Sequence, residues 1–229
     1  MVEGFVMSQH ELLLHVRKIL DEKDRHLYRK LSEIRFRFSV TERHLSHDQA
    51  MGLPYADAAV GELWGQKWSY AWFRTDIRIP PEAAGKRVVI RPDFGSEATV
   101  FVNGAVRGAI DLVHKEITLT RSAAVGEPFT VLAEAYAGHG ENRPRLGQSW
   151  LCVFDEELYQ FYIDLECLYS LRQTLDIGSY RAVEIDNGFR ELLSVFEPGR
   201  GDADRSRDIG KWRAILRPLL EKKNGDSAP

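Results

Sequence analysis

Residues 71–79 constrain the fold most strongly, because mostly apolar residues alternate there with tryptophan and charged residues. A period of two is that of a β-strand, whose successive side chains point to opposite faces of a sheet. Pro80 and Pro81 end the pattern, since proline cannot donate a strand hydrogen bond. Trp72 and Phe73 have opposite parity, so the sequence predicts that both pack, one ring on each face. A helix from residues 8–31 or 155–223 is expected to cover the second face.

Several further short apolar segments, separated by turn signals, predict an antiparallel β-sandwich over residues 61–150. The clearest turn is Asn103-Gly104, because this pair tolerates the positive φ angles of a type I′ hairpin. The strand on its N-terminal side is 98–102. Other predicted strands are residues 88–90, 117–119 and 129–137.

Helical spacing flanks this region on both sides. Ser8 and Glu11 fit a capping box, and apolar residues then recur at helical spacing to about residue 31, which predicts an N-terminal helix in a segment of residues 1–60. A C-terminal segment, residues 151–229, contains a predicted helix that ends near Gly178 and another from Ser179 to about Phe196. Residues 199–208 are polar and glycine-containing, which predicts a linker before a last helix around Trp212.

Composition and charge narrow the function classes. The net charge of −3 gives no basic surface that would indicate a nucleic-acid partner, and no apolar run is long enough to span a membrane. The N-terminus lacks the features of a secretory signal. Cys152 and Cys167 lie in mostly apolar stretches without metal-ligand spacing, which predicts two buried, reduced thiols. We therefore expect a cytoplasmic protein.

Motifs with catalytic spacing are missing from the sequence. The cluster from His44 to Asp48 offers two imidazoles and a carboxylate that could bind zinc. No further ligand cluster lies at recognisable spacing, so the stretch is predicted to be a solvated loop. The carboxylates around Asp155, Asp164 and Glu166 suit a helix start better than the paired acids of a glycosidase. Residues 138–147 are glycine-containing but lack a phosphate-loop pattern, so we expect a connecting loop.

The segment WGQKWSYAWFRTDIRIP resembles the N-terminal region of glycoside hydrolase family 38 α-mannosidases of the cytosolic and bacterial type. The similarity covers most of the chain and implies a galactose-binding-like β-sandwich of the jelly-roll type, with an N-terminal helix and a C-terminal helical segment. The matching residues are Trp64, Gly65, Trp68, Trp72, Phe73 and Arg74, then Val100, Val102, Asn103 and Gly104 in the hairpin, then Gly108, Asp111 and His114.

The resemblance implies a non-catalytic N-terminal domain, which by itself is expected to be inactive. In the family, such a region leads into a catalytic barrel that opens with a G-H-x-H-I-D-x-A-W motif and binds zinc. This sequence contains no such motif, so no catalytic or metal-binding residue is assigned to it. The retaining hydrolysis of terminal α-mannosides, and its zinc, are expected in a catalytic domain of the same polypeptide.

Four residues are candidates for contacts with a carbohydrate or with another domain: Trp64, Trp68, Asp111 and His114. For the two tryptophans, packing against a further domain, packing in the local core and stacking on a mannose-containing glycan all stay open. Two alternative functions are an autonomous carbohydrate-binding module and an oligomerisation domain. The second is indicated by apolar stripes on the first and last helices, which are expected to be exposed. A hydrolase built on Asp164 is a further, enzymatic alternative.

Overall fold

A computed structural model describes residues 7–198 and 202–222, without the side chains of 202–205. The chain divides into a β unit, residues 29–154, and a helical unit made of the described parts of 1–28 and 155–229. The helices are α1 (Gln9–Asp21), α2 (Lys23–Leu27), α3 (His47–Met51), α4 (Glu156–Thr174), α5 (Tyr180–Val195) and α6 (Asp202–Glu221). The strands are β1 (Tyr28–Ile34), β2 (Arg37–Thr41), β3 (Ala56–Asp57), β4 (Tyr70–Arg78), β5 (Val88–Arg91), β6 (Ala98–Val102), β7 (Ala105–Ile110), β8 (Ile117–Thr120), β9 (Pro128–Tyr136) and β10 (Ser149–Phe154).

The β unit is the predicted sandwich. A four-stranded sheet has the order β1-β10-β5-β8, and a six-stranded sheet has the order β3-β2-β4-β9-β6-β7. Inward-facing residues of both sheets form one apolar core, which contains Phe36, Phe73, Val88, Ile90 and Val131. In strands such as β4 and β6 the inward-facing side chains are buried in this core, and their burial helps to fix the strand register.

Strand β4 lies in the middle of the six-stranded sheet and confirms the predicted parity. It pairs with β2 on one side and along all nine residues with β9 on the other. Phe73 belongs to the inner core, whereas Trp72 packs on the outer face with Leu45, Ala50 and Leu132. Both rings are fully buried. The predicted source of the second cover is wrong. Helix α3 and the segments around it cover this face, rather than a helix from residues 8–31 or 155–223.

The predicted hairpin is also confirmed. Strands β6 and β7 are antiparallel neighbours, and Asn103 and Gly104 between them have φ angles of +50° and +82°. Two consecutive positive φ angles are those of a type I′ turn, which asparagine and glycine adopt at low cost. The Asn103 side chain also accepts a hydrogen bond from the amide of Thr130 at 2.9 Å, which ties the turn to β9.

The helical unit packs the first helices of the chain together with its last three helices. Helix α1 begins with the predicted capping box between Ser8 and Glu11, and packs on α4 and α5. Helix α6 also packs on α4 and α5. The apolar stripes of α1 and α6 are therefore buried inside the unit, and the expectation that they are exposed is wrong. Buried members of the two stripes are Leu12, Val16, Leu20, Ile209, Trp212 and Leu216.

Other expectations need correction. The predicted N-terminal helix extends too far, because residues 28–34 form strand β1. The predicted linker 199–208 is helical from Asp202 onward, while residues 199–201 lie outside the described chain. The stretch beginning at His47 is a short helix rather than a loop, because Ser46 and Gln49 form a capping box. The two compact units differ from the predicted division at residues 60 and 150, since β1, β2 and β3 precede residue 61.

The two cysteines differ in their surroundings. Both are free thiols, but only Cys152 is buried as predicted, whereas Cys167 is exposed on α4. Burial raises the pKa of Cys152 to about 11, so this thiol is protonated and unreactive near neutral pH. Among the described residues, none of the helices combines the length and the apolar character needed to cross a membrane.

A buried ion pair links two helices of the helical unit. Arg172 on α4 donates to both carboxylate oxygens of Asp186 on α5, at 2.7 and 3.0 Å. The two side chains are 3% and 8% exposed. Gln9 of α1 adds a third hydrogen bond to Asp186 at 3.3 Å. Such a pair is stable only while both charges are present, because either one alone would be buried without compensation.

Asp186→Asn is therefore expected to lower the free energy of unfolding by about 3–5 kcal/mol, because it leaves the Arg172 charge buried and unpaired. Urea denaturation measures this change. Asp21→Asn is the matched control, since its ion pair with Arg17 is exposed, with both side chains 57% accessible. The control is expected to cost less than about 1 kcal/mol. Equal losses in the two variants would contradict the assignment.

Candidate functional site

Residues 64–69, here called the tryptophan loop, lead into β4. The conformation of this loop is fixed by Gly65 and by the Ser69 side chain. Gly65 has a φ of +62°, and a Cβ atom there would lie 2.8 Å from the Ser69 hydroxyl and 2.9 Å from the Cβ of Ala137. Only glycine fits this position. The Ser69 hydroxyl accepts from the amide of Gln66 and donates to its carbonyl, both at 2.7 Å. The loop is therefore a closed turn and not a flexible connection.

Trp64 and Trp68, at the two ends of this turn, have opposite environments. Trp64 is 2% exposed, and its indole nitrogen donates to the carbonyl of Phe94 at 2.8 Å. Its ring packs edge-on against Phe73, with centroids 5.4 Å apart. Trp64 therefore packs in the local core, which is one of the three roles considered for it. In this conformation its ring has no free surface for a sugar. Trp68, in contrast, is 59% exposed.

The backbone of Trp68 is strained. Its φ of +68° lies in the left-handed region, where a bulky residue is an outlier that costs about 1–3 kcal/mol. The amide of Trp68 donates to the carbonyl of Gly138 at 2.8 Å, which holds the residue in this conformation. Such strain, at a side chain that is exposed rather than buried, is a feature of contact sites more than of packing sites.

The connection between β9 and β10 forms the second half of this surface. The His139 ring lies against the Trp68 ring, with centroids 5.8 Å apart and an interplanar angle of 32°. Arg143 donates to the carbonyls of Gly65 at 2.7 Å and Leu63 at 2.8 Å, and so fixes the tryptophan loop from outside. At the rim, Lys67 and Glu141 form an exposed ion pair at 3.0 Å. No periodic pattern marks His139 or Arg143, because both lie in the irregular connection between β9 and β10.

Asp111 and His114 lie close together, in the turn after β7. One Asp111 carboxylate oxygen accepts from the amides of Val113 and His114, at 2.7 and 2.6 Å. The other carboxylate oxygen lies 2.8 Å from Nδ1 of His114. These hydrogen bonds, above all the one from the His114 amide, lower the pKa of Asp111 from 3.8 to about 2. The turn presents Leu112 and Val113, which are 91% and 82% exposed.

A groove with a volume of about 1030 Å³ runs along this turn and strands β7 and β8. Its lining includes Asp111 and His114 but neither Trp64 nor Trp68, so the four candidates divide between two places. Glu116 also lines the groove. One of its carboxylate oxygens accepts from Arg87 at 2.9 Å, while the other is buried without a hydrogen-bond partner. Further polar residues of the lining are Asn103, Arg107, Thr118 and Thr120.

The remaining polar clusters are satisfied within the fold. His44 pairs with Glu134 at 2.7 Å, Asp155 caps α4, and Asp164 pairs with Arg213 at 3.0 Å. The described residues contain no group of three or more histidine, cysteine, aspartate or glutamate side chains that could hold a metal ion. Zinc chemistry is therefore not assigned to any residue of this part of the chain.

The Asp111 turn is expected to respond to acid. Because folding lowers the pKa of Asp111, its stabilising effect is complete above about pH 4 and is lost as the pH falls towards about 2. A nuclear magnetic resonance titration of the Val113 and His114 amides should show a midpoint well below that of an unstructured peptide with residues 109–116. Identical midpoints would contradict the hydrogen-bonded turn. Asp111→Asn should speed hydrogen exchange of the same two amides at neutral pH.

A family model and the curated relatives both point to alpha-mannosidases. A family model described as the alpha-mannosidase jelly roll domain matches residues 33–174. Alpha-mannosidase 2C1 of Mus musculus is 24% identical over 179 residues, which cover 70% of this chain and 17% of that protein. Alpha-mannosidase G of Dictyostelium discoideum is 26% identical over 151 residues, which cover 58% of this chain and 14% of that protein. The chain thus spans a small part of the length of these relatives.

A solved β-glucuronidase from Ruminococcus gnavus is similar in part, with a TM-score of 0.45 and 16% identity over 56% of this chain and 29% of that one. The family model carries the assignment instead, since it matches more than half of the chain and covers the whole described sandwich from Glu33 onward. The resemblance motifs from Trp64 to His114 lie inside the match, whereas the part of the resemblance beyond residue 174 lies outside it. The chain therefore belongs to the family of alpha-mannosidase jelly roll domains.

Proposed function

We propose that the chain is a non-catalytic part of an α-mannosidase polypeptide and that the tryptophan loop docks on the catalytic domain of the same polypeptide. The observation that carries this proposal is Trp68, an exposed indole held in a strained left-handed backbone conformation. The relatives are several times longer than the matched region, which leaves ample length for a catalytic domain. Zinc-dependent hydrolysis of α-mannosides would belong to that domain.

The geometry of the tryptophan loop suits an anchor. Tryptophan is enriched at the centres of protein interfaces, where one large ring contributes much of the binding free energy. The loop is already rigid through Gly65, Ser69 and Arg143, so little conformational entropy is lost when Trp68 is covered. The Lys67–Glu141 pair at the edge matches the polar rim that surrounds such an anchor.

A second candidate function is carbohydrate binding, and the groove favours it. The carboxylates of Asp111 and Glu116 and the ring of His114 lie in the same lining, where they can form hydrogen bonds with sugar hydroxyls. Sugars are bound through several convergent polar groups of this type. Docking predicts contacts at residues 64–69 and 138–143, whereas carbohydrate binding predicts contacts at residues 111–120. Residue-specific measurements therefore distinguish the two functions.

The two tryptophans are expected to behave differently on substitution. Trp64→Ala removes a buried ring and its hydrogen bond, and should lower the free energy of unfolding by about 3–5 kcal/mol. Trp68→Ala should change it by less than about 0.5 kcal/mol, because the side chain is exposed. Trp68→Gly should be more stable than Trp68→Ala, since glycine relieves the strain at positive φ. Chemical denaturation measures all three, and a large loss in Trp68→Ala would contradict a contact role.

Hydrogen exchange tests the docking proposal. Amides of residues 64–69 and 138–143 should exchange more slowly in the full polypeptide that carries this chain than in the 229-residue chain alone, while those of residues 111–120 should not change. Trp68→Ala should remove the protection, and Val125→Ala, which truncates an equally exposed apolar residue, should keep it. Equal exchange in both proteins would overturn the proposal.

Sugar titration and an activity assay complete the test. The 229-residue chain is expected to release no 4-nitrophenol from 4-nitrophenyl α-mannoside, and turnover would contradict a non-catalytic role. If carbohydrate binding is the function, mannose shifts the amide resonances of residues 111–120 in a saturable way, and Glu116→Gln weakens that response. Shifts confined to the Trp68 indole would instead indicate stacking on the tryptophan loop.

A further inference from the structure

Two arginines lie directly opposite each other on the outer face of the six-stranded sheet. The register of β2 and β4 pairs Arg37 with Arg74. The next pair along, Phe38 and Phe73, stacks at 5.8 Å, and Phe73 belongs to the inner core. Since successive side chains alternate, both arginines point to the other face. Like charges in directly opposite positions weaken strand pairing, so the arrangement calls for a compensating group.

No ion pair in the described part of the chain compensates this contact. Neither guanidinium forms an ion pair with a described residue. Asp57 lies opposite Arg37 in β3 without pairing with it, and the Asp76 carboxylate accepts a hydrogen bond from Thr130 at 2.7 Å. The Nε atom of half-buried Arg74 is buried and has no hydrogen-bond partner. An unsatisfied buried donor destabilises a fold unless a ligand or water completes it.

Tyr55 places a third polar group beside this pair. Its hydroxyl donates to the carbonyl of Ala50 at 3.0 Å, at the edge of the cover over Trp72. Burial raises the pKa of Tyr55, while the charges of Arg74 and Arg37 act in the opposite direction. The tyrosine is therefore close enough to sense both guanidiniums. Together the three side chains form a polar patch with two positive charges at the boundary between covered and open sheet.

We propose that Arg37 and Arg74 bind a phosphate group on the outer face of the six-stranded sheet. A guanidinium presents a planar fork of donors that matches phosphate oxygens, and two forks side by side match a doubly charged anion. A phosphate group carries about −1.5 to −2 charges at neutral pH, whereas a carboxylate balances only one arginine. This site is separate from the tryptophan loop and the groove, and the proposal does not depend on the proposed function.

Thermal unfolding of the 229-residue chain tests the site, with inorganic phosphate added against sodium chloride at constant ionic strength. The melting temperature of the unaltered chain should rise with phosphate and reach saturation. Arg37→Gln and Arg74→Gln should each weaken the apparent affinity at least about tenfold. Arg78→Gln is the matched control, because Arg78 is an exposed arginine on the same face of β4, and it should respond like the unaltered chain.

Two further measurements keep the proposal falsifiable. Without phosphate, Arg37→Gln should be at least as stable as the unaltered chain, since it removes a like-charge contact; this shows that the variant folds. Glucose 6-phosphate distinguishes a phosphorylated sugar from free phosphate, because tighter binding than inorganic phosphate makes the sugar part of the ligand. An equal response of the unaltered chain and both glutamine variants, no saturation up to about 100 mM, or equal binding of acetate would overturn the proposal.

Discussion

The structure of the β unit depends on strand β4, which is buried on both faces. Most strands of an antiparallel sandwich bury one face, so a central strand with Trp72 on one side and Phe73 on the other requires two covers. The four-stranded sheet provides the first, and α3 with its flanking segments provides the second. Each fully buried aromatic ring contributes roughly 2–3 kcal/mol of hydrophobic free energy. The nine-residue pairing with β9 then sets the register of the rest of the sheet.

The tryptophan loop follows from this constraint. Trp64 must reach the core to pack on Phe73, and the chain must return to enter β4 at Tyr70. Gly65 allows the close approach at the start of the turn, and the Ser69 hydroxyl closes it. Trp68 stays exposed with a positive φ, and the hydrogen bond from its amide to the carbonyl of Gly138 holds this conformation. The same turn thus produces one core tryptophan and one exposed tryptophan.

Local signals explain what the sequence predicted correctly. The period of two in β4, the Asn103-Gly104 turn and the Ser8 capping box each depend on a few adjacent residues, and all three are present in the structure. The family resemblance was confirmed for the same reason, since its motifs lie in the matched region. Helix α5 begins at Tyr180, one residue after its predicted start at Ser179, which caps it.

Nonlocal arrangements explain what the sequence missed. Leu31 of strand β1 (YRKLSEI) lies four residues after Leu27, at the end of α2, and this spacing imitates a helix; only pairing with β10 makes residues 28–34 a strand. The burial of Trp64 and the exposure of Trp68 could not be separated, because the loop between them has no periodic pattern. The joining of α1 with the C-terminal helices also depends on contacts between distant residues.

On the outer face of the six-stranded sheet, the cover over Trp72 leaves Arg74 partly buried. The cover over Trp72 is short, because α3 has five residues and the apolar cluster ends at Leu53, Tyr55 and Phe101. Beyond it, Arg74 is half-covered, so its Nε atom loses water without gaining a partner. A longer cover would bury the charge at high cost, and a shorter one would expose Trp72. The proposed phosphate at Arg37 and Arg74 would balance the two positive charges while Trp72 stays covered.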